Sequence, residues 1–408
     1  MNKPDKSKFL PYGRQHIFGD DIDAVIKVLK SDWLTQGPRV PAFEQELCET
    51  LKAKNAAACA NGTAALHLSM MALGLGPGDA IVTAPITFLS SANCARFVGA
   101  DVQFADTDPD TALMDPSSLE SILKRDTERR IKAVIPIHFA GQPLDLPTLY
   151  KLTREHGAYL VDDACHAIGG SYIHDNKEYF IGDGQFTDMT VFSFHPVKHI
   201  AMGEGGAVIT NNDKFAEKMR LARCHDIRKQ GLLNKDMAFD SAGDVNPWYY
   251  EMHELGYNYR LTDFQAALGL SQIGRLDWSV SRRRDIAVLY RKLIGETFSS
   301  ENIAPLSFRE NAKHAYHLFV VQIDFDKLGV GRAEVMNYLR EHKIGTQVHY
   351  IPVHLQPYYR KHSGTKAGDF PHAENYYSKA LSLPMYPDLT NDDIRRVIEV
   401  LAKAVGLG

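Results

Sequence analysis

Between Asn55 and about residue 210 short apolar runs alternate with amphipathic ones, and this alternation limits the available folds more than any other feature. The apolar runs are AAACA, AIVTAP, VQFA, KAVIPIH and AYLVD; between them lie Thr63–Leu73, Phe88–Val98, Pro116–Lys124 and Leu146–His156, with helical spacing. Continuous apolar runs suit strands buried on both faces, so the pattern predicts a mostly parallel sheet with crossover helices. Two more strand-like runs, MTVFSF and GAVITNN, are separated only by HPVKHIAMGEGG. That link is too short and glycine-rich for a crossover helix, so at least one strand there runs antiparallel.

Before the alternation, Asp21–Lys30 carries Ile22, Val25, Ile26 and Leu29 at helical spacing behind a candidate cap, Asp20. Phe43, Leu47 and Leu51 repeat the pattern, and further helical stretches occupy Thr262–Leu276 and Val280–Leu293. Beyond about residue 310 the texture turns α+β: HLFVVQIDF, a helix near Arg332–His342, IGTQVHY and a last helix at Asn391–Val405. A chain of 408 residues exceeds one comfortable core. The expected division is a large α/β domain over residues 1–277 and a smaller α+β domain over 278–408, with part of the N-terminal segment lying against the smaller body.

Composition excludes several classes. The net charge is -4 with both signs interspersed and no basic stripe, so nucleic acid is not an expected partner. No apolar run approaches the roughly 18 residues of a membrane helix, and MNKPDKSKFLPYGRQ lacks a signal-peptide core, so a cytoplasmic protein is expected. Five cysteines without a CxxC pair read as reduced thiols.

In open α/β sheets ligands gather beyond the carboxyl ends of strands, and three motifs fall there. Asn61-Gly62-Thr63-Ala64-Ala65 closes a strand and opens a helix, where free N–H groups and a hydroxyl make a phosphate cradle; it is equally a capped turn. Val161-Asp162-Asp163-Ala164-Cys165-His166 puts at least one carboxylate where it can face a cationic ring nitrogen, or else a surface turn. Asp163, Cys165 and His166 are all potential metal ligands, but so mixed a set at this spacing is not a usual zinc pattern, and no metal is expected. Ser193-Phe194-His195-Pro196-Val197-Lys198-His199, followed by Gly203-Glu204-Gly205-Gly206, sets a lysine in a short turn between buried strands. Desolvated there, the amine becomes a nucleophile toward a carbonyl. Ser193 can share a phosphate with Thr63. His195 and His199 read as rim or packing residues.

Together these motifs resemble the DegT/DnrJ/EryC1/StrS nucleotide-sugar aminotransferases, fold-type I enzymes that use pyridoxal 5′-phosphate (PLP). Further markers are Leu34-Thr35-Gln36-Gly37, Thr87-Phe88 in APITFLSSAN, GQPLD at 141–145, GYNYRLTDFQAALGLSQ at 256–272, QVHYIPVH at 347–354 and SLPMYP at 382–387. The resemblance implies a seven-stranded large domain and gives Lys198 the Schiff-base role and Asp163 the pyridine nitrogen. It has Phe88 stacking on the ring, His166 near the 3-hydroxyl, and Thr63, Ala64 and Ser193 on the phosphate. It also implies that Asn258 reaches the neighbouring subunit's phosphate, hence a homodimer with shared sites. Within the family, LTQGPR, APITFLSSANC, the CHAIG variant and QVHYIPVH are most similar to the subgroup of pseudaminic acid synthesis. That subgroup implies a UDP-linked 4-keto-6-deoxy-N-acetylhexosamine as acceptor and L-glutamate as donor, with Thr35, Gln36, Gly37, His349 and Tyr350 lining the substrate groove. Family members that dehydrate sugars replace the lysine by histidine, and a non-catalytic relative would have lost Lys198 or Asp163; both are present here.

Overall fold

The structure, a computed structural model, describes residues 8–407. The first seven residues, on which part of the reading against a leader rests, and Gly408 lie outside them. Helices α1 (Gly19–Leu29) and α2 (Arg39–Leu51) precede the alternating region. There the strands are β1 (Asn55–Cys59), β2 (Ala80–Thr83), β3 (Asp101–Phe104), β4 (Ile131–Ile135) and β5 (Tyr159–Asp163). The intervening helices are α3 (Gly62–Leu73), α4 (Ser90–Phe97), α5 (Pro116–Arg125) and α6 (Leu146–His156). A hairpin, β6 (Ser171–His174) with β7 (Lys177–Phe180), comes before β8 (Met189–Ser193), β9 (Gly206–Thr210) and α7 (Asp213–Ala222). Seven strands form one sheet in the order β1-β9-β8-β5-β4-β2-β3. β9 pairs antiparallel with both β1 and β8, whereas the other pairings are parallel. The fold is the expected α/β architecture, reversed strand included.

Successive side chains of a strand point to opposite faces. Ala56, Ala58, Leu160 and Phe192 join an apolar cluster with Phe43 and Leu47 of α2, Ile122 of α5 and Leu149 of α6. Ala57, Cys59, Val161 and Val191 join another with Leu66 and Leu68 of α3, Cys94 of α4 and Met219 of α7. Each fully buried Leu or Val contributes about 1.5–3 kcal/mol, so both faces hold the register. The same alternation puts Asp162 on the face of Leu160, and Asp163 on the face of Val161.

A third cluster gathers Leu10, Ile286, Tyr290, Phe319, Val321, Ile344, Leu383, Ile394 and Leu401 around a small antiparallel sheet of Ile303–Pro305, Phe319–Ile323 and Ala380–Leu383. Leu10 is tied to it by Leu10 N to Lys343 O at 2.8 Å and Gly345 N to Leu10 O at 2.7 Å.

Local differences from the sequence reading have physical causes. Asp20 does not cap α1: it lies in the first turn and pairs with Arg275, while Asp21 accepts the Phe18 N–H at 2.8 Å. Val280–Leu293 is the middle of one 22-residue helix, Leu276–Thr297. IGTQVHY forms no strand and makes only isolated bridges, Ile344 with Leu10 and Gln347 with Ser382. The β6–β7 hairpin turns through Asp175 and Asn176 at φ 48° and 59°, the left-handed region that Asp and Asn tolerate.

Candidate active site

The carboxyl ends of β5 and β8 and the N-terminus of α3 border a cavity of about 620 Å³. Asn61, extended at φ -169°, ends the β1 turn, and its Oδ1 accepts the Ala64 N–H at 2.9 Å. That cap occupies Ala64, which does not line the cavity; Gly62 and Thr63, one position nearer the tip, do. A Cβ on Gly62 would stand 3.0 Å from Ser193 Cβ, and one on Gly206 would meet the Asn61 carbonyl at 2.4 Å. The two glycines let the helix tip press against the β8–β9 ends, leaving its N–H groups beside the Thr63 and Ser193 hydroxyls.

Asp163 ends β5 almost wholly buried. Its Oδ2 accepts from Ser91 Oγ at 2.7 Å and its Oδ1 from Cys165 N at 3.1 Å. Ser91 gives its only proton to the acid, so the 2.7 Å contact between Thr87 and Ser91 is a donation by Thr87. No motif in the sequence marks Ser91; the available signal is its spacing from Phe88 in FLSS, opening α4 behind a ring on the cavity wall.

Lys198 lines the same cavity. Burial pulls its ammonium below the usual value, with Cys165 and Asp163 opposing and Arg283 adding to the fall. His166, 1% exposed, meets Tyr350 Oη through Nε2 at 3.1 Å, and its buried Nδ1 has no partner. Burial, then Lys198, hold its imidazole well below the ordinary range. Phe88 is half exposed on the rim, its ring 6.2 Å from that of Tyr350.

The roof comes from residues beyond position 310. His349 donates to or accepts from Ser382 Oγ at 2.8 Å, and burial followed by Lys198 lowers its value to about 3. Burial raises the Tyr350 phenol well above its ordinary range, Asp163 adding to the rise. His317, unmarked by any motif in the sequence, completes the wall with Nε2 3.4 Å from Lys198 Nζ. His195 is an exposed rim residue, and His199 packs, its Nε2 donating to Ala315 O at 2.9 Å.

The cavity thus unites Thr63, Phe88, Asp163, His166, Ser193, Lys198, His349 and Tyr350. It does not include Ala64, Asn258, Thr35, Gln36 or Gly37 of the same chain. Residues 34–37 form a loop pinned to the helix that follows Thr262: Gly37 N and Arg39 N each donate to an Asp263 carboxylate oxygen at 2.7 Å. Asn258 is exposed in a bridge to Cys224. Among the described residues no group of three or more His, Cys, Asp or Glu side chains is placed to hold a metal ion, and no helix is long and apolar enough to cross a membrane.

The sequence pattern of the DegT/DnrJ/EryC1/StrS aminotransferase family matches residues 15–402. The chain belongs to that family. The spore coat polysaccharide biosynthesis protein SpsC of Bacillus subtilis is 40% identical to this chain over 401 residues, 98% of each chain. Helicobacter pylori PseC, an aminotransferase involved in the biosynthesis of pseudoaminic acid, superposes with a TM-score of 0.85 at 28% identity, covering 98% of this chain and all of that one. A Streptococcus pneumoniae protein described as a sugar aminotransferase, Spr1654, in its PLP form, gives a TM-score of 0.84 at 24% identity over 98% and 99% of the two chains, a likeness of fold. In this DegT/DnrJ/EryC1/StrS chain the three sequence motifs meet at one cavity.

Proposed function

We propose that the chain moves an amino group from L-glutamate to the C4 keto group of a UDP-linked 4-keto-6-deoxy-N-acetylhexosamine, with PLP as cofactor, in the cytoplasm. The observation that carries this is the convergence of a desolvated lysine, a buried acid and a helix N-terminus on one cavity. The residues fit PLP: the α3 tip with Thr63 and Ser193 suits its phosphate, and Asp163 suits the ring nitrogen. The unpartnered Nδ1 of His166 suits its phenolic oxygen, and Phe88 the ring face.

When bound, PLP supplies an electron sink that lets an amino group be exchanged between two carbonyl partners. Lys198 Nζ would hold the cofactor covalently at rest and, once displaced, take and return the proton at the reacting carbon. Asp163, steadied by Ser91 and the Cys165 N–H, keeps a proton on the ring nitrogen. His349 and Tyr350 would offer the sugar their ring faces, with Ser382 and His166 fixing the two rings through their polar atoms.

A homodimer accompanies this reading, with Asn258 and the 34–37 loop serving the partner's cavity. Their exposure outside the chain's own cavity supports it. So too the division into residues 1–277 and 278–408 is supported by a cluster drawn, apart from Leu10, from the second part, while Leu306, Leu318, Val320 and Tyr376 pack into the core of the first. The structural likeness to PseC supports the pseudaminic acid pathway. The 40% identity to a spore coat polysaccharide protein favours a second reading, another nucleotide keto sugar destined for surface polysaccharide. Incubation with glutamate and a panel of UDP- and dTDP-linked 3-keto and 4-keto sugars decides between them. Preference for UDP-2-acetamido-2,6-dideoxy-β-L-arabino-4-hexulose is expected; preference for its D-xylo epimer or a dTDP-3-keto sugar removes the first reading. Mixing Lys198→Ala and Asn258→Ala subunits should restore activity that neither homodimer has, and confirmed mixed dimers without any gain would remove the shared site.

A further inference from the structure

Lys198 Nζ has one side-chain hydrogen-bond partner among the described residues, His317 Nε2 at 3.4 Å. The His317 segment is fastened from several directions. Ala315 N donates to Gly141 O at 2.8 Å and Leu318 N to Ala140 O at 3.1 Å. The buried Arg283 donates through Nη1 to the carbonyls of Tyr316 at 3.2 Å and His317 at 3.3 Å, and His199 Nε2 holds Ala315 O at 2.9 Å. Gly141, at φ 98°, sits where a Cβ would stand 2.9 Å from His317 N and 2.7 Å from His166 O. The close approach therefore requires a residue without a side chain.

What is held in place is an imidazole 4% exposed, its ring centroid 4.4 Å from that of His166 and its Nδ1 without a partner. For packing alone a phenylalanine would fill such a site without burying an unpaired polar atom. The nitrogen that does have a partner is the one facing the lysine.

We infer that His317 is a positioning residue for Lys198: its Nε2 lone pair accepts one N–H of the amine, which turns the amine's own lone pair into the cavity, and the imidazole carries its proton on Nδ1. When Lys198 takes up a proton the ammonium keeps this bond, and no proton passes to the ring. The inference rests on reading Lys198 as the amine that performs the chemistry, and it adds a residue that this reading does not need.

The first test is the tautomer. In full-length protein with ¹⁵N-labelled histidine, His317 should show a protonated Nδ1 and a bare Nε2, whose resonance moves in Lys198→Met. A proton on Nε2 at neutral pH overturns the assignment. The second test is the reactivity of the amine, read as reductive methylation of Lys198 in the cofactor-free full chain by peptide mapping. His317→Phe, which fills the space without an acceptor, should slow labelling about tenfold or more and lower kcat about a hundredfold with KM little changed. His317→Gln, whose Oε1 stands near the place of Nε2, should stay within about threefold of wild type in labelling. Wild-type labelling in His317→Phe, or equal loss in the Gln and Phe variants at matched thermal midpoints, overturns the inference. Pyridoxyl on a lysine other than 198 after borohydride reduction would instead sink the cofactor reading, and the tautomer and labelling would still decide about His317.

Discussion

Asp162 and Asp163 are neighbours in sequence and both buried, yet they belong to opposite regions of the molecule. Beneath the sheet, the hydroxyls of Thr187 and Thr190 lie 2.6 and 2.9 Å from Asp162 Oδ1, and His138 Nε2 lies 2.9 Å from Oδ2. Leu144 N donates to His138 Nδ1 at 3.0 Å, so the ring proton sits on Nε2 and points at the acid. Above the sheet, Asp163 receives Ser91 and one backbone N–H and otherwise opens on the cavity. Burial does not separate the two carboxylates. Saturation does: one has its hydrogen-bonding capacity filled by the fold, and the other keeps some for a guest.

This contrast can be broken from either side. Lys198→Ala, on the open side, should cut turnover by at least about 10⁴-fold and remove the borohydride-reducible bond to the cofactor, while the thermal midpoint holds. Peptide mapping after reduction checks the bond. Asp163→Asn should retain bound cofactor and slow turnover about 10²–10³-fold, with unfolding free energy changed by about 1 kcal/mol or less. Near-normal turnover would mean that the open carboxylate is idle. Asp162→Ala should do the opposite: stability falls by about 3–5 kcal/mol because His138 and Thr190 lose their acceptor, Thr187 keeping the Leu160 and Met189 carbonyls, while turnover per folded molecule stays within about threefold. Urea titration beside single-temperature kinetics separates the two effects.

The smallest effect concerns pH. His349, lowered by burial to about 3 in the folded protein, stays neutral where the unfolded chain protonates near the ordinary 6.5. Its contribution is therefore complete above about pH 6.5 and is lost as pH falls toward 3, at up to about 1.4 kcal/mol per pH unit. His166 and His317, also lowered by burial, add in the same direction. Urea midpoints at about pH 7.5 and 5 should differ accordingly, and His349→Gln should flatten the difference by one histidine's share. An unchanged slope in that variant would show that the roof is open to water.

Much of this was legible in the chain. Apolar runs such as AYLVD report a strand buried on both faces, and HPVKHIAMGEGG is too short for anything but a reversal. The lysine, acid and helix-tip motifs sit at strand ends, where the topology brings them together. Less legible were residues whose role depends on a partner far along the chain. His317 lies next to an ordinary apolar strand, and its meeting with Lys198 spans 119 positions. The local pattern alone makes Asp162 and Asp163 equivalent, and only the family resemblance singles out Asp163; the register supplies the reason, since Asp163 shares with Val161 the face that packs on α3. Ile344–Tyr350 has strand-like composition, but among the described residues it meets a sheet strand at Ser382 alone, and it is spent on single bridges and on lining the cavity. Leu232–Trp248 contains a short helix, Lys235–Ala238, and a Phe239–Val245 bridge, and leaves Leu233, Met237 and Trp248 largely exposed.

That 119-position gap between Lys198 and His317 also sets a calendar for the nascent chain. At about 5–20 residues per second, the ribosome adds the stretch between them in roughly ten seconds. The helix tip, the acid and the lysine leave it within one early span, and the histidines and tyrosine that roof them follow. For that interval the Lys198 side chain lacks the His317, His349 and Tyr350 walls that close around it in the finished chain.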